Sequence, residues 1–531
     1  MFLKKKGSAP KVENAEYKKN FSEGSFLMLE ENYPMALKKI LTAYQIDPSN
    51  ANVNYKLGLC YLKSISHKQK AIKPLELAAL NVSEKYVDMD PSERKAPVNA
   101  YYYLGIAYHL IYRFDEAIAN FEKFKSFISP KQKDIITDVN NQIAMCDNAK
   151  RIVGAPLNVI VTNLGDSVNS PYPDYGPVIS ADESMLIFTS RKPGSTGGDK
   201  TPDNQFYEDI YICYKKADGT WSSPSSISSN VNTYGNEAAI GLSADGQQLF
   251  IYRDDYGDGN IYMSMMDGYS WTIPVKMGSD INTKAWEPSA CISADGNTLY
   301  FVSDRKGGIG GRDIWKCVKL PNGQWSLASN LGPSINTPKD EDAPFIHPDG
   351  ITLFFSSNGH KTIGGFDIFF SAKNPENSWE EPINIGYPVN TTGDDIFYVT
   401  SPDGKRGYYS SAKNVGYGEK DIYMITSPEA TEIPLTLIKG VIILPQGQQL
   451  PDDIEIVVTN NETGANEGRF HPIKRNGSFT LIIPPNSNYK VSYNVGDTEF
   501  YSEDIFVPAD AAYKEIDKAI ELKPVVLEKK N

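Results

Sequence analysis

The feature that most constrains the fold of this chain is a segment that recurs five times between residues 155 and 427. Each copy contains two recognisable markers: an aspartate in a Ser-x-Asp-Gly type of turn, and an asparagine that closes the segment. The turn aspartates are Asp182, Asp245, Asp295, Asp349 and Asp403, and the closing asparagines are Asn169, Asn232, Asn282, Asn336 and Asn390. Both series have spacings of 63, 50, 54 and 54 residues, so two independent markers predict five copies of one structural unit.

The order of short stretches within each copy predicts a four-stranded antiparallel blade. Asp-Gly pairs at four of the turns favour two-residue hairpins with positive φ, whereas the first copy has Asp182-Glu183 and is predicted to turn differently. The segment that ends at Asn169 matches a blade tail that no blade precedes, and the last copy lacks such a tail. We therefore expect the N-terminal tail to complete the fifth blade, which predicts a closed five-bladed β-propeller over residues 155–428 without exposed sheet edges.

Other recurring residues have predicted mechanical roles. A polar residue opens the third strand of every blade and is expected to hold loop amides. These residues are Asp209, Asn260, Asp313, Asp367 and Asp421. Four tryptophans at the outer end of the blades are expected to pack between neighbouring blades. They are Trp221, Trp271, Trp325 and Trp379.

One set of carboxylates is a candidate site. Eight residues before each turn aspartate stands Asp174, Glu237, Glu287, Glu341 or Asp395, and each precedes an innermost strand. The five are therefore expected around one end of the central channel, where they would bind a cation or a basic group from a partner. The alternative is that each carboxylate caps its own loop or pairs with a nearby arginine such as Arg191, Arg253 or Arg305. A device repeated in every blade is usually architectural, which favours this alternative.

The first blade carries an insertion at 191–209 and is nine residues longer than the later copies. Insertions of this kind project from one face and often bind partners. The candidate partner residues are Thr196, Asp199, Asn204 and Phe206. The alternative is an unconstrained surface loop.

Residues 16–151 repeat a helical hairpin. Small residues recur at Gly24 and Ala36, and again at Gly105 and Ala117, with a looser copy between them. They predict antiparallel helices that cross closely, and the pattern resembles the tetratricopeptide repeat. Such arrays present a concave face, to which the Tyr101-Tyr102-Tyr103 run would contribute aromatic anchors. The alternative is that at least two of these tyrosines lie in the core.

Residues 436–525 read as strands with turn signals at Thr463-Gly464 and Asn476-Gly477. With Gly440 and Tyr489, they resemble the regulatory-type, transthyretin-like β-sandwich found beside carboxypeptidases, which implies a structural or binding module. The predicted fold class is therefore multidomain, α plus all-β. Its parts are a tail (1–15), a helical solenoid (16–151), the propeller (155–428), the sandwich (436–525) and a second tail (526–531).

Composition excludes some functions. A formal charge of -13 is unfavourable for phosphate contacts, so nucleic acid is not an expected partner. The five scattered cysteines contain no CxxC pair and are predicted to be single buried thiols. The N-terminal residues contain no apolar stretch typical of a signal peptide, so the protein is expected to be cytoplasmic or the sequence to be a mature form.

In this order, the three modules resemble the OmpA-family envelope lipoproteins of Bacteroidota, including the PorE-type component of type IX secretion. The propeller motif SxDGxxLxFxS…GGxDIY is the most specific part of the resemblance. It implies a periplasmic adaptor associated with the outer membrane, with an outer-membrane barrel and secretion or gliding machinery as partners. Members usually begin with a lipoprotein signal and end with an OmpA-type domain. Neither is seen in these residues, so a link to peptidoglycan is expected only through a domain absent from this sequence.

The sequence thus favours a non-catalytic scaffold without a cofactor. The five histidines are scattered, and neither a GxSxG nor an HExxH motif occurs. A second interpretation is a propeller that senses a ligand or carbohydrate in its channel. A third is a glycoside-active enzyme that uses two channel carboxylates. A symmetric ring, however, gives no reason for one carboxylate to be an acid and another a nucleophile.

Overall fold

The structure is a computed structural model of the chain. It describes residues 15–64, 68–198, 200–201, 205–255, 257–268, 270–413, 416–444, 449–485, 487–508 and 513–522. The chain forms two compact units, Met1–Gly154 and Ala155–Asn531. The prediction of a helical region followed by largely antiparallel sheets is confirmed.

The described part of the first unit consists of paired helices. They are α1 (Ala15–Leu29), α2 (Tyr33–Ile46), α3 (Ala51–Leu62), a 3-10 turn (Lys68–Ala71), α4 (Ile72–Ala79), α5 (Asn99–Leu110), α6 (Phe114–Lys125) and α7 (Lys133–Val153). A short parallel pair, β1 (Val82–Ser83) and β2 (Ala96–Pro97), lies between α4 and α5.

Glycines bring the helices of each pair into close contact. A Cβ atom added to Gly24 would lie 2.7 Å from Ile40 Cδ1, and one added to Gly105 would lie 2.7 Å from Phe121 Cε1. At Gly58 the corresponding distance to Leu75 Cγ is 2.4 Å. These positions exclude any side chain, which explains the recurring small residues of the sequence pattern.

Five four-stranded antiparallel sheets follow within the described residues 160–426. The first strand of this region, β3 (Ile160–Asn163), precedes the other strands in the sequence but belongs to the fifth sheet. The first two sheets are β4 (Asp174–Ile179), β5 (Met185–Ser190), β6 (Asp209–Tyr214) and β7 (Ser225–Ser226), then β8 (Glu237–Leu242), β9 (Gln248–Arg253), β10 (Asn260–Met265) and β11 (Val275–Lys276). The third is β12 (Ala290–Ile292), β13 (Thr298–Ser303), β14 (Asp313–Val318) and β15 (Ser329–Asn330). The last two are β16 (Glu341–Ile346), β17 (Thr352–Ser357), β18 (Asp367–Ala372) and β19 (Ile383–Asn384), then β20 (Asp395–Thr400), β21 (Arg406–Ser411) and β22 (Asp421–Thr426) with β3.

The sheets are arranged as propeller blades. The innermost strands contact one another in cyclic order, from β4 through β8, β12 and β16 to β20, and β20 contacts β4. As expected, the tail completes the fifth blade, because β3 pairs with β22 from Tyr423 and Asn163 to Thr426 and Ile160. The ring is therefore closed by hydrogen bonds between residues far apart in sequence.

The closing asparagines act as clamps. In every blade the asparagine Oδ1 accepts the backbone N–H of the isoleucine that follows the third-strand opening residue, and its Nδ2 donates to the same isoleucine's carbonyl. Asn169 does this for Ile422 across the ring closure, with distances of 2.8 and 3.0 Å. Such a bidentate contact needs a side-chain amide of this length, which explains the recurrence of Asn.

Two details of the turns differ from the sequence prediction. The turns are wider than two residues, since Ser243 N–H bonds to the Gln248 carbonyl and closes the loop between β8 and β9. The first turn is also not different in kind. Glu183 has φ 51°, close to the 74° of Gly246, and its carboxylate is held by Arg406 Nη2 of the fifth blade at 2.7 Å. A non-glycine residue thus adopts the left-handed conformation in this turn, and its side chain joins the two blades that close the ring.

The tryptophans pack between blades, as predicted. Trp221 meets Tyr408 of the fifth blade edge to face, with 6.2 Å between ring centres, and Trp379 meets Tyr300 of the third blade at 6.3 Å. The five cysteines are free and buried, which confirms the prediction of single buried thiols.

The C-terminal strands form two sheets around one core. They are β23 (Thr436–Ile443), β24 (Ile454–Asn460), β25 (Asn466–Phe470), β26 (Ser478–Ile483), β27 (Ser487–Val495), β28 (Thr498–Val507) and β29 (Lys514–Glu521). One sheet has the order β26-β23-β29 and the other the order β25-β24-β27-β28. Side chains of both sheets share one hydrophobic core, as in a β-sandwich.

This sandwich packs on the turn end of the propeller. Leu435, Leu437 and Ile482 form an apolar cluster with the turn residues Ala181 and Ala244. The innermost strands begin at the opposite end of the ring. The contact between sandwich and propeller described here involves the turn end. In the described residues no helix is both long and apolar enough to cross a membrane.

Candidate functional site

The five predicted carboxylates lie at the beginning of the innermost strands, and each is at most 1% exposed. Glu341 shows the shared arrangement. It accepts the backbone N–H of Thr337 at 2.8 Å, the Thr337 hydroxyl at 2.7 Å and the Ser357 hydroxyl at 2.7 Å. Asp395 is bound in the same way by Thr391 and Ser411. Each carboxylate therefore ties together the loop and the second strand of its own blade.

Arginines take part in two of the blades. Arg253 Nε lies 3.4 Å from Glu237, and Arg305 Nη2 lies 3.2 Å from Glu287. Arg191 instead donates to the Phe206 carbonyl and the Thr201 hydroxyl. These contacts agree with the alternative in which each carboxylate caps its own loop or pairs with an arginine.

Burial raises the pKa of four of the carboxylates, which therefore hold protons more tightly than usual. Desolvation raises the pKa of Asp174 and Glu237, and it raises the pKa of Glu341 to about 7 and that of Asp395 to about 6. The hydrogen bonds that each accepts oppose this effect, because they favour the charged form.

The carboxylates do not converge on an open channel. Where the innermost strands meet, side chains including Ile240, Phe345, Phe397 and Tyr398 leave a cavity of only about 20 Å³. Among the residues that the structure describes, no group of three or more His, Cys, Asp or Glu side chains is placed to hold a metal ion. The five carboxylates that were predicted to form a ring therefore make separate contacts, each within its own blade.

A larger cavity, of about 260 Å³, lies on the carboxylate end of the ring and was not found by sequence reasoning. We call it the blade-end pocket. Its aromatic residues are Tyr175, Tyr252, Trp286 and Phe397, and its polar residues are Glu208, Asn236 and Asp254. Ala238, Ala239, Ile240 and Pro288 complete the described lining. The pocket belongs to the first, second, third and fifth blades and is therefore asymmetric.

Hydrogen bonds fix the polar side of the pocket. The Tyr175 hydroxyl donates to Glu208 Oε1 at 2.5 Å, and the Glu208 backbone N–H donates to Asn236 Oδ1 at 3.1 Å. Burial first, and the Glu208 charge second, raise the pKa of Tyr175 well above its usual value, so its hydroxyl remains a donor at neutral pH. Trp286 Nε1 donates to the Tyr252 hydroxyl at 3.2 Å. Five lining side chains are thus held in defined positions.

The pocket forms where the repeat is broken. The residue directly before each carboxylate is Asn236, Asp340 or Asp394 in three blades, and its side chain accepts a backbone N–H from the preceding blade. The first blade has Pro173 and the third has Trp286 at this position, neither side chain can accept such a bond, and Trp286 lines the pocket. A comparison of the five copies position by position would have revealed this departure.

Phe397 departs from the repeat in residue type, because Gly176 and Ala343 have the same left-handed conformation at the equivalent irregularities of the first and fourth blades. It has φ 62° within an irregularity of β20, and its ring stacks on Tyr175 with 6.4 Å between ring centres. A bulky residue in the left-handed region is strained, and such strain is concentrated at functional sites. The strained backbone places one aromatic wall of the pocket.

The other predicted partner residues have mainly structural contacts. Thr196 donates through its backbone N–H and its hydroxyl to Asp209 Oδ2, both at 2.9 Å. The Phe206 ring packs edge to face on Tyr172, at 5.6 Å between centres. Asp199 and Asn204 lie outside the described residues.

The tyrosine run of the helical unit is half-buried. Tyr101 stacks on Phe127, Tyr102 packs on Phe121 and donates to Asp138 Oδ2 at 2.6 Å, and Tyr103 contacts Tyr55. All three rings are therefore engaged in packing within this unit, and each keeps some exposed surface.

Comparisons with known proteins give neighbours among solved structures. No protein-family model matches the chain, and no curated protein matches it. The solved structures that resemble it include TolB from Acinetobacter baumannii, with 16% identity and a TM-score of 0.28 over 49% of this chain and 56% of that chain. A putative TolB from Agrobacterium tumefaciens has 17% identity and a TM-score of 0.29, over 51% of this chain and 98% of that one. A protein described as a glycoside hydrolase has 8% identity and a TM-score of 0.38, over 54% and 96%.

These neighbours include TolB-type propeller proteins, but all three TM-scores lie below 0.5. The description of the propeller therefore depends on the strand pairing of the chain itself. The chain spans little more than half of the first of these proteins, 56% of its length. Because a glycoside hydrolase stands beside the TolB proteins, the comparison does not separate a binding protein from an enzyme.

Proposed function

We propose that this protein is a non-catalytic adaptor of the bacterial envelope, and that the blade-end pocket is where its propeller binds a partner. The observation that carries the proposal is the asymmetry of the pocket. Every repeated polar device of the ring is used for internal contacts, whereas Trp286 and Phe397 break the repeat and line a cavity of about 260 Å³. The pocket lies at the opposite end of the ring from the turns on which the sandwich packs.

The remaining parts of the proposal depend on the resemblance of the module order to envelope lipoproteins. We propose a tetratricopeptide-type helical unit and a regulatory-type sandwich, in a periplasmic protein associated with the outer membrane. An outer-membrane barrel and components of type IX secretion or gliding machinery are the proposed partners.

Affinity purification from the native host tests the adaptor function. Tagged wild-type protein, extracted with a mild detergent, should recover a defined outer-membrane or secretion partner. Trp286→Ala should reduce that recovery, because it removes a pocket wall that is 38% exposed and carries little of the core. Leu327→Ala is the control, since Leu327 is 81% exposed and does not line the pocket. Recovery of no partner, or equal recovery with Trp286→Ala, would count against the proposal.

A second candidate function is recognition of a carbohydrate. The observation that favours it is the combination of aromatic faces with the Glu208 and Asp254 carboxylates and the Asn236 amide. Sugars are bound by such sets, and a pair of carboxylates is also what glycoside chemistry requires. Titration of the protein with simple glycosides, together with an assay for release of the aglycone, separates binding from turnover.

A further inference from the structure

We propose that the blade-end pocket binds a cationic group, the ammonium or guanidinium of a lysine or arginine side chain on a protein partner. This inference depends on the proposed function, because it names the chemistry of the partner at the same site. The inference is based on one observation, that four aromatic rings and two carboxylates line the same cavity. Aromatic faces attract cations through their negative electrostatic potential, and the attraction is greater where water is excluded.

The charges of the pocket favour a cation. Glu208 and Asp254 line it, and none of its lining residues that the structure describes is basic. The propeller as a whole has the same sign, since residues 155–428 contain 33 acidic and 20 basic residues, with 12 of the acidic ones buried. The attraction of a basic side chain is therefore local to the pocket, where Asp254 is exposed.

Glu208 is prepared to accept a further donor. The Tyr175 hydroxyl bonds to its Oε1, and its backbone is held by Asn236, so the carboxylate is fixed without being neutralised by a cation at that atom. A carboxylate has about four acceptor positions on its two oxygens. A bound ammonium group can use the positions that Tyr175 leaves, at little entropic cost to the protein.

The aromatic rings at the pocket already contact cations of the chain itself. The Arg312 guanidinium lies 5.1 Å from the centre of the Trp286 ring, and Lys420 Nζ lies 5.7 Å from that of Tyr175. Neither cation lines the cavity. Arg312 also forms an ion pair with Asp342, which compensates its charge. Trp286 and Tyr175 therefore each already have one cation of the chain near the ring.

The size of the cavity limits the occupant. Small-molecule pockets usually measure about 300–1,000 Å³, and this one is slightly smaller, about 260 Å³. It therefore accommodates one long side chain or one small ring. A basic side chain inserted from a partner meets this limit, and the rest of the partner would remain outside the pocket.

The test is isothermal titration calorimetry of the full chain in phosphate buffer, with small probes. N-acetyl-lysine methylamide and N-acetyl-arginine methylamide should bind weakly, with a Kd on the order of 1 mM, and N-acetyl-norleucine methylamide about tenfold more weakly. The Glu208→Gln and Asp254→Asn double variant should lose about tenfold in affinity for the lysine probe and most of its salt dependence. Gln and Asn keep the acceptor oxygens that Tyr175 and the Gly257 backbone use.

Two controls isolate the charge and the aromatic wall. Asp218→Asn removes an exposed carboxylate in a turn away from the pocket and should leave the affinity unchanged. Trp286→Ala should weaken the lysine probe, while Tyr417→Ala, which removes an exposed ring at the same end of the propeller, should not. Trp286→Phe should restore part of the affinity, because phenylalanine also presents an aromatic face.

Each outcome has a distinct meaning. Equal binding of the norleucine and lysine probes, or full affinity in the double variant, overturns the cation proposal. Binding of methyl glucoside in place of the lysine probe also overturns it and favours the carbohydrate alternative. If butylamine binds as well as the capped lysine, the pocket recognises cations, and its ligand is a free amine and not a side chain of a protein. A last outcome is that the probe binds but Trp286→Ala does not change the recovery of the partner. This result would support the cation site and would show that the pocket is not where the partner binds.

Discussion

The buried carboxylates and the blade-end pocket lie at the same end of one ring and use the same kinds of residue for different purposes. Glu341 is 0% exposed and receives three hydrogen bonds from its own blade. Asp254 is exposed, and the hydrogen bond it accepts comes from the neighbouring Gly257. The first carboxylate occurs in all five copies, while the second lies where the copies differ. Repetition therefore marks what holds this ring together, and departure from repetition marks what can bind.

The same contrast applies to backbone conformation. Positive φ at the turn glycines recurs in four blades and serves the turn alone. Glu183 adopts it in the first blade, and its carboxylate pairs with Arg406 of the fifth blade. Phe397 adopts it without such a pair, and its ring forms a wall of the pocket. Changes at the repeated positions should therefore affect stability, and changes at the departing positions should affect binding.

The largest expected effect follows from removal of a repeated carboxylate. Asp395→Ala leaves the Thr391 N–H and the Thr391 and Ser411 hydroxyls without their acceptor in a buried place. We expect a loss of about 3 kcal/mol in the free energy of unfolding, measured by urea denaturation. Asp254→Ala, at an exposed carboxylate, should cost about 0.5 kcal/mol or less. Similar losses for the two variants would remove the distinction between the two sets.

A second prediction compares two asparagine clamps. Asn336 joins residues 22 positions apart, whereas Asn169 holds Ile422 across 253 positions at the ring closure. Replacement of either by alanine should cost about 2 kcal/mol, because two buried backbone groups lose a partner. Hydrogen exchange should separate them. Asn169→Ala should accelerate exchange in β3 and β22 first, and uniform exchange in both variants would contradict a special role for the closure.

These comparisons also show what the sequence made predictable. The spacing of two marker series predicted the blades, and the unmatched tail before Asn169 predicted that β3 would complete the last sheet, because both depend on local repetition. The turn at Glu183 was predicted wrongly, since Glu183 adopts the positive φ for which the prediction required glycine, and its contact with Arg406, over 200 residues away, is not visible in a local pattern. The blade-end pocket could not be found from conserved spacing. Its residues come from four blades, and Trp286 carries information only as a departure from the pattern.

A third prediction concerns pH. The folded pKa of Glu341, about 7, lies above its ordinary value of 4.5, so the folded state binds this proton more tightly than the unfolded chain. Its contribution to stability is therefore complete below about pH 4.5 and is lost as the pH rises through 7. Glu341→Gln should remove a decline on the order of 1–2 kcal/mol between pH 5 and pH 8. Thermal unfolding across this range measures it, and an unchanged slope in the variant would contradict the assignment.

The last prediction concerns Phe397, where the expected change in stability is small and the effect on binding should be large. Phe397→Gly relieves a strain of about 1–3 kcal/mol in the left-handed backbone, and this relief offsets the loss of ring contacts with Tyr175. The free energy of unfolding should then change by about 1 kcal/mol or less, while the affinity for the lysine probe falls severalfold. Ala343→Gly is the matched control, because Ala343 has φ 48° at the equivalent irregularity of β16 but does not line the blade-end pocket. If Ala343→Gly weakened the probe as much as Phe397→Gly, backbone stiffness and not the aromatic wall would determine binding.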